Sequence, residues 1–592
     1  MRYGLLSKAY EQLESTSKRL EMTDILAQLF KETPIDIIDK VIFLTQGKLH
    51  PSWLGLDVIG LAEKSLIKAV AQATNLNEDK ISKKVIKIGD IGSAFKDIIL
   101  IKRKQKSLAD FGMKKKAKQP LTVEKVYSKL NNIAKASGTG SADFKIKELA
   151  DLIRNTTAIE GKWLLRTAQG KLRFGVAEST ILDALVLAFT TDKNNKQYIE
   201  RGYNIHPNLG KIAKILANQG LEAIKKMKIE LFTPVRMMLA QRLSSIEEIL
   251  EKLGGKCACE YKYDGERLQI HLDDEVMLYT RNLENATTQY PDVQKLVREL
   301  DIDKAVIEGE VVAVDSSGGL RPFQELMHRR RKYGIKEAVE KYPINLFLFD
   351  ILKRDEKDLI DEPYTVRREN LKQIVRETER LRLGKAIISD NILEIEEFFN
   401  SSIESGCEGI IAKSIQKESV YQAGARGWLW IKLKESYQSK MADNIDIVVV
   451  GAFWGRGKRA QTYGALLCAV FDEEEGNYKT ICKVGSGFSD SDLALFLQKF
   501  EEVKRDTKPP QVKSVIKPPP DVWFDPLIVT EIAGDEITLS NVHLAGFGKV
   551  KTNSGLAIRF PRFIRWREDK SIENITTTEE IIDMYKRQRK TV

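Results

Sequence analysis

Apolar residues recur at helical spacing from the start of the chain to about residue 228. Ile146, Leu149, Ala150 and Ile153 are one example, because residues three and four positions apart are neighbours on an α-helix. The pattern predicts an all-α first domain over residues 1–228.

One basic stretch, KRKQKSLADFGMKKKAKQP (102–120), interrupts this helical pattern. Two basic runs flank a short apolar island there, which is typical of an exposed segment and not of a buried element. We expect an exposed basic loop at 102–120.

The rest of the chain has a β-rich pattern. Over residues 229–439, charged helical stretches separate the short runs CACEYKY, AVIEGEVVAV, INLFLFDIL, EGIIAKS and WLWIKLK, which predicts a mixed α/β (α+β) domain. Over residues 440–592 the runs IDIVVVGAFW, ALLCAVF, TICKVGSGF, PLIVTEIAG and LAIRFPRFIRW follow one another closely. They predict a small β-barrel, interrupted by the proline-rich segment 508–521.

Length and composition agree with several domains in a soluble protein. A chain of 592 residues is too long for one hydrophobic core, so three domains are expected. No stretch approaches the roughly 18 apolar residues that a membrane helix needs, and the N-terminus turns polar early. We therefore expect a cytoplasmic protein without membrane segments. The five cysteines have neither disulfide-framework nor zinc-site spacing.

The net charge of +11, from 95 Lys and Arg against 84 Asp and Glu, favours a polyanionic partner. A Lys- and Glu-rich soluble surface, as in heat-adapted proteins, explains the same composition equally well.

The segment from Glu260 to Arg267, EYKYDGER, is the sharpest chemical signal. If it begins as a strand, Glu260 and Lys262 share one face, and Gly265 permits a tight turn. A lysine attacks phosphorus only as the neutral amine, and the ordinary lysine pKa of about 10.4 keeps it protonated at neutral pH. A nucleophilic lysine therefore needs burial, nearby arginines or a metal. On local grounds alone, a lysine between two tyrosines is more often a surface residue.

Further candidates lie downstream. Glu308 and Glu310 share one strand face, and Glu408 precedes a glycine in CEGIIAK, which also contains Lys413. Carboxylates beside substrate phosphates commonly hold Mg²⁺. Phe347 and Phe349 share a face, and we expect Phe347 to be a core residue. Trp428, Trp430, Lys432 and Lys434 also share a face, and two adjacent ammonium groups favour an anion between them.

The order KYDGER, TRN, GEVV, FLFD, CEGIIAK, WIKLK and RFPRFIRWREDK resembles the motif series of covalent nucleotidyltransferases. It is most similar to the ATP-dependent DNA ligases of archaea and of eukaryotic replication. RTAQGKLRFGVAESTILDAL (166–185) resembles their helical DNA-binding domain, and GRGKR (455–459) resembles their barrel. The resemblance implies a helical DNA-binding domain at 1–228, an adenylation domain at 229–439 and an OB-fold domain at 440–592.

The resemblance also implies residue roles. Lys262 is expected to take AMP from ATP, with Glu260 contacting the adenine and Phe349 stacking on it. The residues expected around the ribose and phosphates are Arg267, Arg281, Glu310, Arg426, Lys432 and Lys434. Glu310 and Glu408 are expected near Mg²⁺ or Mn²⁺. The residues expected to orient the leaving pyrophosphate are Arg565, Arg567, Asp569 and Lys570. The implied reaction seals a nick between a 5′-phosphate and a 3′-hydroxyl in duplex DNA.

Two segments indicate partners. Gly138-Thr139-Gly140-Ser141 precedes a predicted helix whose first amides are placed to bind a DNA phosphate, although a flexible linker fits the segment equally well. Gln105, Leu108 and Phe111 resemble the short peptide that docks replication proteins on the sliding clamp. Gly112 stands where a second aromatic is usual, which weakens the match.

Three rival interpretations remain at this point. An RNA ligase or GTP-using capping enzyme is disfavoured by the long helical domain and by GRGKR, and an NAD-dependent ligase is disfavoured by the lack of a zinc-type cysteine cluster. A non-catalytic DNA-binding scaffold has no need for the complete set of candidate residues. The motifs leave ADP or another nucleotide open as an additional donor. We expect the protein to act as a monomer.

Overall fold

The computed structural model describes residues 1–55, 59, 61–107, 120–329, 334–434, 444–455 and 462–590. The chain divides into two compact units, Met1–Leu433 and Lys434–Val592, which are treated separately below. The boundary that we predict at 439/440 lies outside the described residues.

The first part of the first unit is helical. Its helices are α1 (Tyr3–Glu14), α2 (Arg19–Glu32), α3 (Ile38–Thr45), α4 (Glu63–Thr74), α5 (Glu78–Ile88), α6 (Ile91–Ser107), α7 (Val123–Lys135), α8 (Ser141–Arg154), α9 (Ala158–Gln169), α10 (Glu178–Phe189), α11 (Lys196–Ile205), α12 (Leu209–Gln219) and α13 (Leu221–Lys225). The apolar stripe of α8, Ile146, Leu149, Ala150 and Ile153, is buried as its spacing predicts. At the centre of the helical core, Trp163 lies with its ring centroid 5.3 Å from Tyr10 and 5.6 Å from Phe174.

The loop predicted at 102–120 is wrong for its first six residues. Helix α6 continues to Ser107, so residues 102–107 are helical. Lysine, arginine and glutamine favour helices, and positive side chains in a last turn interact well with the helix dipole. Lys102 also donates a hydrogen bond to the carbonyl oxygen of Thr74. Residues 108–119 lie outside the described residues.

The second part of the first unit contains two sheets. One has the order β1 (Leu239–Arg242), β11 (Arg426–Lys434), β10 (Gly409–Ser414), β2 (Cys257–Lys262) and β9 (Ala386–Ser389). The other has the order β4 (Val276–Thr280), β3 (Glu266–Leu272), β5 (Ala305–Ala313), β6 (Ile344–Arg354) and β7 (Lys357–Asp358), with β8 (Leu381–Leu383) beside β6. The helices are α14 (Ile246–Leu253), α15 (Pro291–Val297), α16 (Phe323–Leu326), α17 (Ile335–Lys341), α18 (Tyr364–Ile374) and α19 (Ile392–Glu404).

A tight turn after Lys262 leads from one sheet into the other. Strand β2 belongs to the first sheet and β3 to the second, and Gly265 lies in the turn between them. A Cβ atom at Gly265 would overlap the carbonyl oxygen of Val311 on β5. A glycine is therefore needed for the close approach of the two sheets beside Lys262.

The second unit is β-rich. Its main sheet has the order β15 (Lys504–Arg505), β17 (Val522–Phe524), β12 (Ile445–Trp454), β13 (Tyr463–Asp472), β14 (Asn477–Val484) and β16 (Val512–Lys513), and β18 (Val529–Ala533) pairs with both β12 and β21 (Arg562–Trp566). The remaining elements are β19 (Glu536–Ser540), β20 (Gly555–Arg559), α20 (Asp490–Phe500) and α21 (Thr578–Lys590). Phe496, Phe500 and Phe524 form part of its aromatic core.

Among the described residues, no helix has both the length and the apolar character that a bilayer crossing requires. All five cysteines are buried and unbridged.

Candidate active site

A cleft of about 320 Å³ lies where the two sheets of the first unit meet. Eight of the residues predicted from the sequence line it, namely Glu260, Lys262, Arg267, Arg281, Glu310, Phe349, Arg426 and Lys432. Lys434, at the end of β11, is not among the lining residues. The fold thus collects in one place side chains that are spread over about 170 positions of sequence.

Lys262 lies at the end of β2, partly exposed to the cleft. In the antiparallel pairing of β2 with β10, Lys262 lies opposite Gly409. The backbone N–H of Glu408 donates to the carbonyl oxygen of Lys262 at 2.8 Å, and the Glu408 carboxylate forms an ion pair with the Lys262 ammonium. The pairing of these two strands therefore places a carboxylate directly on the lysine amine.

Several carboxylates lie close together near this amine. The pKa of Glu310 is raised to about 7, chiefly by burial; Lys262 and Arg267 oppose this rise, and the charges of Glu408 and Asp264 add to it. A carboxyl group whose pKa is raised in this way binds a cation favourably, because the cation stabilises its ionised form. Among the described residues, no group of three or more His, Cys, Asp or Glu side chains is arranged to hold a metal ion by itself.

Glu308 does not line the cleft, whereas Glu310 does. The expectation that both carboxylates face a metal from one side of the strand is therefore wrong for Glu308. Its side chain is fully buried and accepts hydrogen bonds from Arg267 at 2.7 Å, Tyr421 at 2.8 Å and Gln269 at 3.3 Å. These donors occupy its oxygen atoms, so Glu308 fixes the position of the Arg267 guanidinium.

The cleft also contains a buried ion pair. Glu260 accepts a hydrogen bond from the Tyr364 hydroxyl at 2.6 Å and pairs with Lys413 at 2.7 Å. The Lys413 ammonium lies 4.3 Å from the ring centroid of Trp430 and 5.0 Å from that of Phe349. Burial lowers the pKa of Lys413, and the Glu260 charge opposes that shift. A carboxylate, an ammonium and two aromatic rings suit a flat heterocycle with hydrogen-bonding edges.

Strand alternation alone misplaces some aromatic residues. Phe347 packs in the core as predicted, with its ring stacked on Tyr263 at 4.0 Å, whereas Phe349 lines the cleft. Trp430 is 3% exposed and lines the cleft, but Trp428 is 44% exposed beside Lys252. The pairing of β11 with β1 shifts register between residues 240 and 241, so the shared face predicted for the two tryptophans is wrong.

Sequence reasoning gave no role to Lys413 and Trp430, which line the cleft, or to Tyr364, which donates to Glu260. Lys413 and Trp430 stood in runs that we had already singled out. Tyr364 comes from α18, which begins outside any of the motifs, so no local signal pointed to it. Arg281 is exposed after the end of β4, and it lines both the cleft and a neighbouring cavity of about 300 Å³.

The residues predicted to orient pyrophosphate lie together on the second unit. Arg567 and Lys570 pair with Asp446, Arg565 pairs with Glu531, and Arg567 also pairs with Asp569. The hydrogen bond from Arg567 lowers the pKa of Asp569 to about 2.

The predicted partner segments are only partly described. Gly138 and Gly140 both have positive φ, and α8 begins at Ser141, as the pattern predicts. Of the predicted clamp-binding residues, Gln105 lies in the last turn of α6, whereas Leu108 and Phe111 lie outside the described residues. Of the GRGKR segment, only Gly455 is described.

Comparison with known families matches three consecutive regions of the chain. Residues 2–186 match the DNA ligase N terminus, residues 237–434 the ATP dependent DNA ligase domain, and residues 459–570 the ATP dependent DNA ligase C terminal region. The DNA ligase of Sulfophobococcus zilligii is 46% identical over 594 residues, covering 99% of this chain and 97% of that protein. The chain belongs to the ATP-dependent DNA ligases.

Other relatives agree with this assignment. DNA ligase 2 of Thermofilum pendens is 48% identical to this ligase over 593 residues, which is 100% of this chain and 98% of that protein. A solved structure named Pmar-Lig_Pre shares the fold, with a TM-score of 0.54 at 18% identity over 95% of this chain and 99% of that one. The predicted fold class and ATP-dependent DNA ligase activity are thus confirmed, with a helical N-terminal region, an α/β adenylation domain and a β-rich C-terminal half-barrel.

Proposed function

We propose that this ligase seals nicks in duplex DNA through an AMP carried on Lys262. The observation that best supports this proposal is the position of the Lys262 amine. It lies in the cleft in contact with Glu408, among groups suited to a base, a ribose and phosphates. The base end is formed by Glu260, Lys413 and Phe349, and the phosphate end contains Arg426 and Lys432.

In the first step the neutral Lys262 amine attacks the α-phosphorus of ATP. A nitrogen–phosphorus bond forms, the bond from that phosphorus to the bridging oxygen breaks, and pyrophosphate leaves with the electron pair. The proton lost by the amine passes to Glu408, which contacts it, and then to water. The product is a lysyl phosphoramidate of AMP.

The other cleft residues bind the nucleotide. Glu260 accepts from the adenine amino group, and Phe349 stacks on the base. Arg267, held by Glu308, binds the ribose and phosphate region together with Arg281. Arg426 and Lys432 stabilise the charge on the phosphate, with Lys434 farther along the same strand. The residues that orient the leaving pyrophosphate from the second unit are Arg565, Arg567, Asp569 and Lys570.

Mg²⁺ or Mn²⁺ fits the carboxylates beside Lys262. The pKa of Glu310 is about 7 because burial and the charges of Glu408 and Asp264 destabilise its ionised form. A divalent cation would offset much of this destabilisation. Glu310 and Glu408 would face the metal, with phosphate oxygens and water completing its coordination. When bound, the metal supplies positive charge that polarises the phosphoryl group.

In the two later steps, the 5′-phosphate of the nick takes AMP from Lys262, and the 3′-hydroxyl then displaces AMP to close the backbone. The amides at the start of α8, after Gly138 and Gly140, are placed to bind a phosphate of the duplex. The sequence has no base-reading motif, so nicked duplexes of unrelated sequence should bind with comparable affinity, at equal salt. A strong sequence preference in a binding titration would overturn this part.

We also propose that Gln105, Leu108 and Phe111 dock the ligase on a sliding clamp. In a pull-down, Leu108→Ala combined with Phe111→Ala should remove clamp binding. A control with Lys114→Ala and Lys115→Ala changes only the charge of the same segment and should retain most binding. Unchanged binding by the Leu108 and Phe111 variant would end the proposal.

The decisive experiment is mass spectrometry of the full chain after incubation with Mg²⁺ and ATP, ADP, GTP or NAD. Added AMP should appear on Lys262 with ATP, and the labelled protein should seal nicked DNA without further nucleotide. Lys262→Ala should acquire no label, yet seal a nick that already carries 5′-adenylate. AMP on another residue, or efficient labelling by GTP or NAD in place of ATP, would overturn the proposal.

A further inference from the structure

Two carboxylates on the second unit hold the cations of the RFPRFIRWREDK segment. Asp446 on β12 lies opposite Glu531 on β18, and Glu531 lies opposite Arg565 on β21. These three side chains therefore occupy neighbouring positions across three adjacent strands. The strand order brings two carboxylates near this arginine, although the three residues are far apart in sequence.

Asp446 contacts two of the cations at once. Nη1 of Arg567 donates to both carboxylate oxygens of Asp446 at 2.9 Å, and Nζ of Lys570 donates to Oδ2 at 2.7 Å. Arg565 has a different partner, since its Nε donates to Glu531 at 2.6 Å. One carboxylate thus fixes the positions of Arg567 and Lys570 relative to each other.

The main chain at Asp446 is anchored by hydrogen bonds of its own. The backbone N–H of Asp446 donates to the Thr576 hydroxyl at 3.1 Å, and its carbonyl oxygen accepts from the Thr576 N–H at 2.8 Å. Main-chain pairing with Glu531 adds to this anchoring. The backbone of β12 is thus held at this point without use of the carboxylate, which pairs with the two cations instead.

Two cations close together repel each other unless an anion lies between them. With the carboxylate in place, Arg567 and Lys570 are already held near each other when a triphosphate arrives. Groups arranged in advance need no reorganisation when charge develops on the leaving group. The alternative, two long side chains that must be ordered at each turnover, costs side-chain entropy.

We propose that Asp446 is a positioning residue for self-adenylylation, setting the separation of Arg567 and Lys570 for the two phosphates of leaving pyrophosphate. This inference rests on the proposed function, in which those cations orient pyrophosphate. Asp446 acts through them and touches no reacting atom. The two later steps release no pyrophosphate, so they should not depend on it.

The test measures each step separately with the full-length Asp446→Asn protein. Its single-turnover rate of self-adenylylation should fall by about 10- to 100-fold, because misplaced charge stabilises the leaving group poorly. The pyrophosphate concentration needed to reverse the reaction should rise. Sealing of a pre-adenylylated nick should stay within about twofold, and Asp446→Glu should recover part of the first-step rate. The matched control is Asp535→Asn. It removes the ion pair with Arg562, which lies on β21 together with Arg565 but is not one of the proposed pyrophosphate-binding residues.

Three outcomes would overturn the inference. Equal slowing of all steps by Asp446→Asn, together with a lower thermal midpoint, would mean that Asp446 is only structural. A normal first step in Asp446→Asn, with a slow first step in Arg567→Ala and Lys570→Ala, would reject Asp446 but keep the proposed role of the cations. A normal first step in Arg567→Ala and Lys570→Ala would reject that role, and the inference with it.

Discussion

The two cationic regions of the ligase differ in how far water reaches them. In the cleft, Lys413 is 1% exposed and its partner Glu260 is 4% exposed. On the second unit, Arg565 is 60% exposed, although its partner Glu531 is only 12% exposed. A buried charge that loses its partner is strongly destabilising, whereas an exposed one is taken up by water.

In the proposed function the two regions have different tasks, and the difference in exposure suits them. Adenine and ribose would remain in the cleft as AMP after the first step, where a rigid, buried frame holds them. Pyrophosphate would leave the second region in every turnover, and cations that retain water would bind it without holding it too tightly. The cleft is therefore preorganised by burial, whereas the second region combines an exposed pair at Arg565 with partly exposed cations around Asp446.

The largest expected effect tests whether the cleft depends on one amine. Lys262→Arg retains the positive charge, but a guanidinium does not lose its proton at neutral pH. Self-adenylylation should fall by at least about 10⁴-fold in a single-turnover assay. Lys252→Ala is the control, because this lysine lies over Trp428 outside the cleft. Substantial labelling of Lys262→Arg would show that self-adenylylation does not depend on the Lys262 amine, and the proposed role of the cleft would then be wrong.

The next effect concerns the buried ion pair. Lys413→Met removes the nearest cation of the buried Glu260 carboxylate and leaves Arg368, at 3.7 Å, which should lower the free energy of unfolding by about 3–5 kcal/mol. The double variant Glu260→Gln with Lys413→Met should be more stable than Lys413→Met alone, because the carboxylate is removed together with the ammonium. Denaturant titration checks both. A loss below about 1 kcal/mol in Lys413→Met would make this pair equivalent to a surface pair.

A smaller effect comes from a neutral histidine beneath the cleft. His271 accepts the Phe232 N–H at 3.1 Å and contacts Gln269 at 3.0 Å, and burial lowers its pKa from 6.5 to about 3. Below the ordinary pKa the unfolded chain binds a proton that the folded chain does not, so stability falls as the pH falls. Between about pH 7 and pH 5 the loss should be about 2 kcal/mol. His271→Gln should be less stable at neutral pH, but its stability should fall less with acidification. An unchanged pH dependence would show that His271 does not contribute.

The smallest effect belongs to the exposed region. Glu531→Gln removes the partner of Arg565, and the free energy of unfolding should change by less than about 1 kcal/mol, because the guanidinium is already hydrated. The difference should shrink further in high salt, since exposed charges are screened. A loss as large as that of Lys413→Met would contradict the distinction between the two regions.

Much of the site was predictable because local strand geometry and motif order constrain it. Glu260, Lys262 and Arg267 were named from one short segment, and all three line the cleft. The strand that contains Glu260 and Lys262 was also predicted, from the run CACEYKY, whereas β3, which contains Arg267, was not. Their chemical roles stay predictions until the labelling experiments are done.

Other features needed contacts between distant parts of the chain. Glu308 looked like a metal ligand beside Glu310, but Arg267 and Tyr421 occupy its oxygens, and Tyr421 lies 113 residues away. We did not predict that residues 102–107 are helical, because a basic run without a known packing partner is typical of an exposed loop. Trp428 and Trp430 were assigned to one face, because a register shift leaves no mark in the sequence.

The sequence by itself determined the family, the order of helical and β-rich regions, and eight of the side chains that line the cleft, because these depend on local pattern and on motifs in a fixed order. Only the tertiary structure decided which charges pair: Glu260 with Lys413, Glu308 with Arg267, and Asp446 with both Arg567 and Lys570. The physical reason is that an ion pair depends on distance and burial in space. Strands that neighbour one another in a sheet bring together residues that are far apart along the chain.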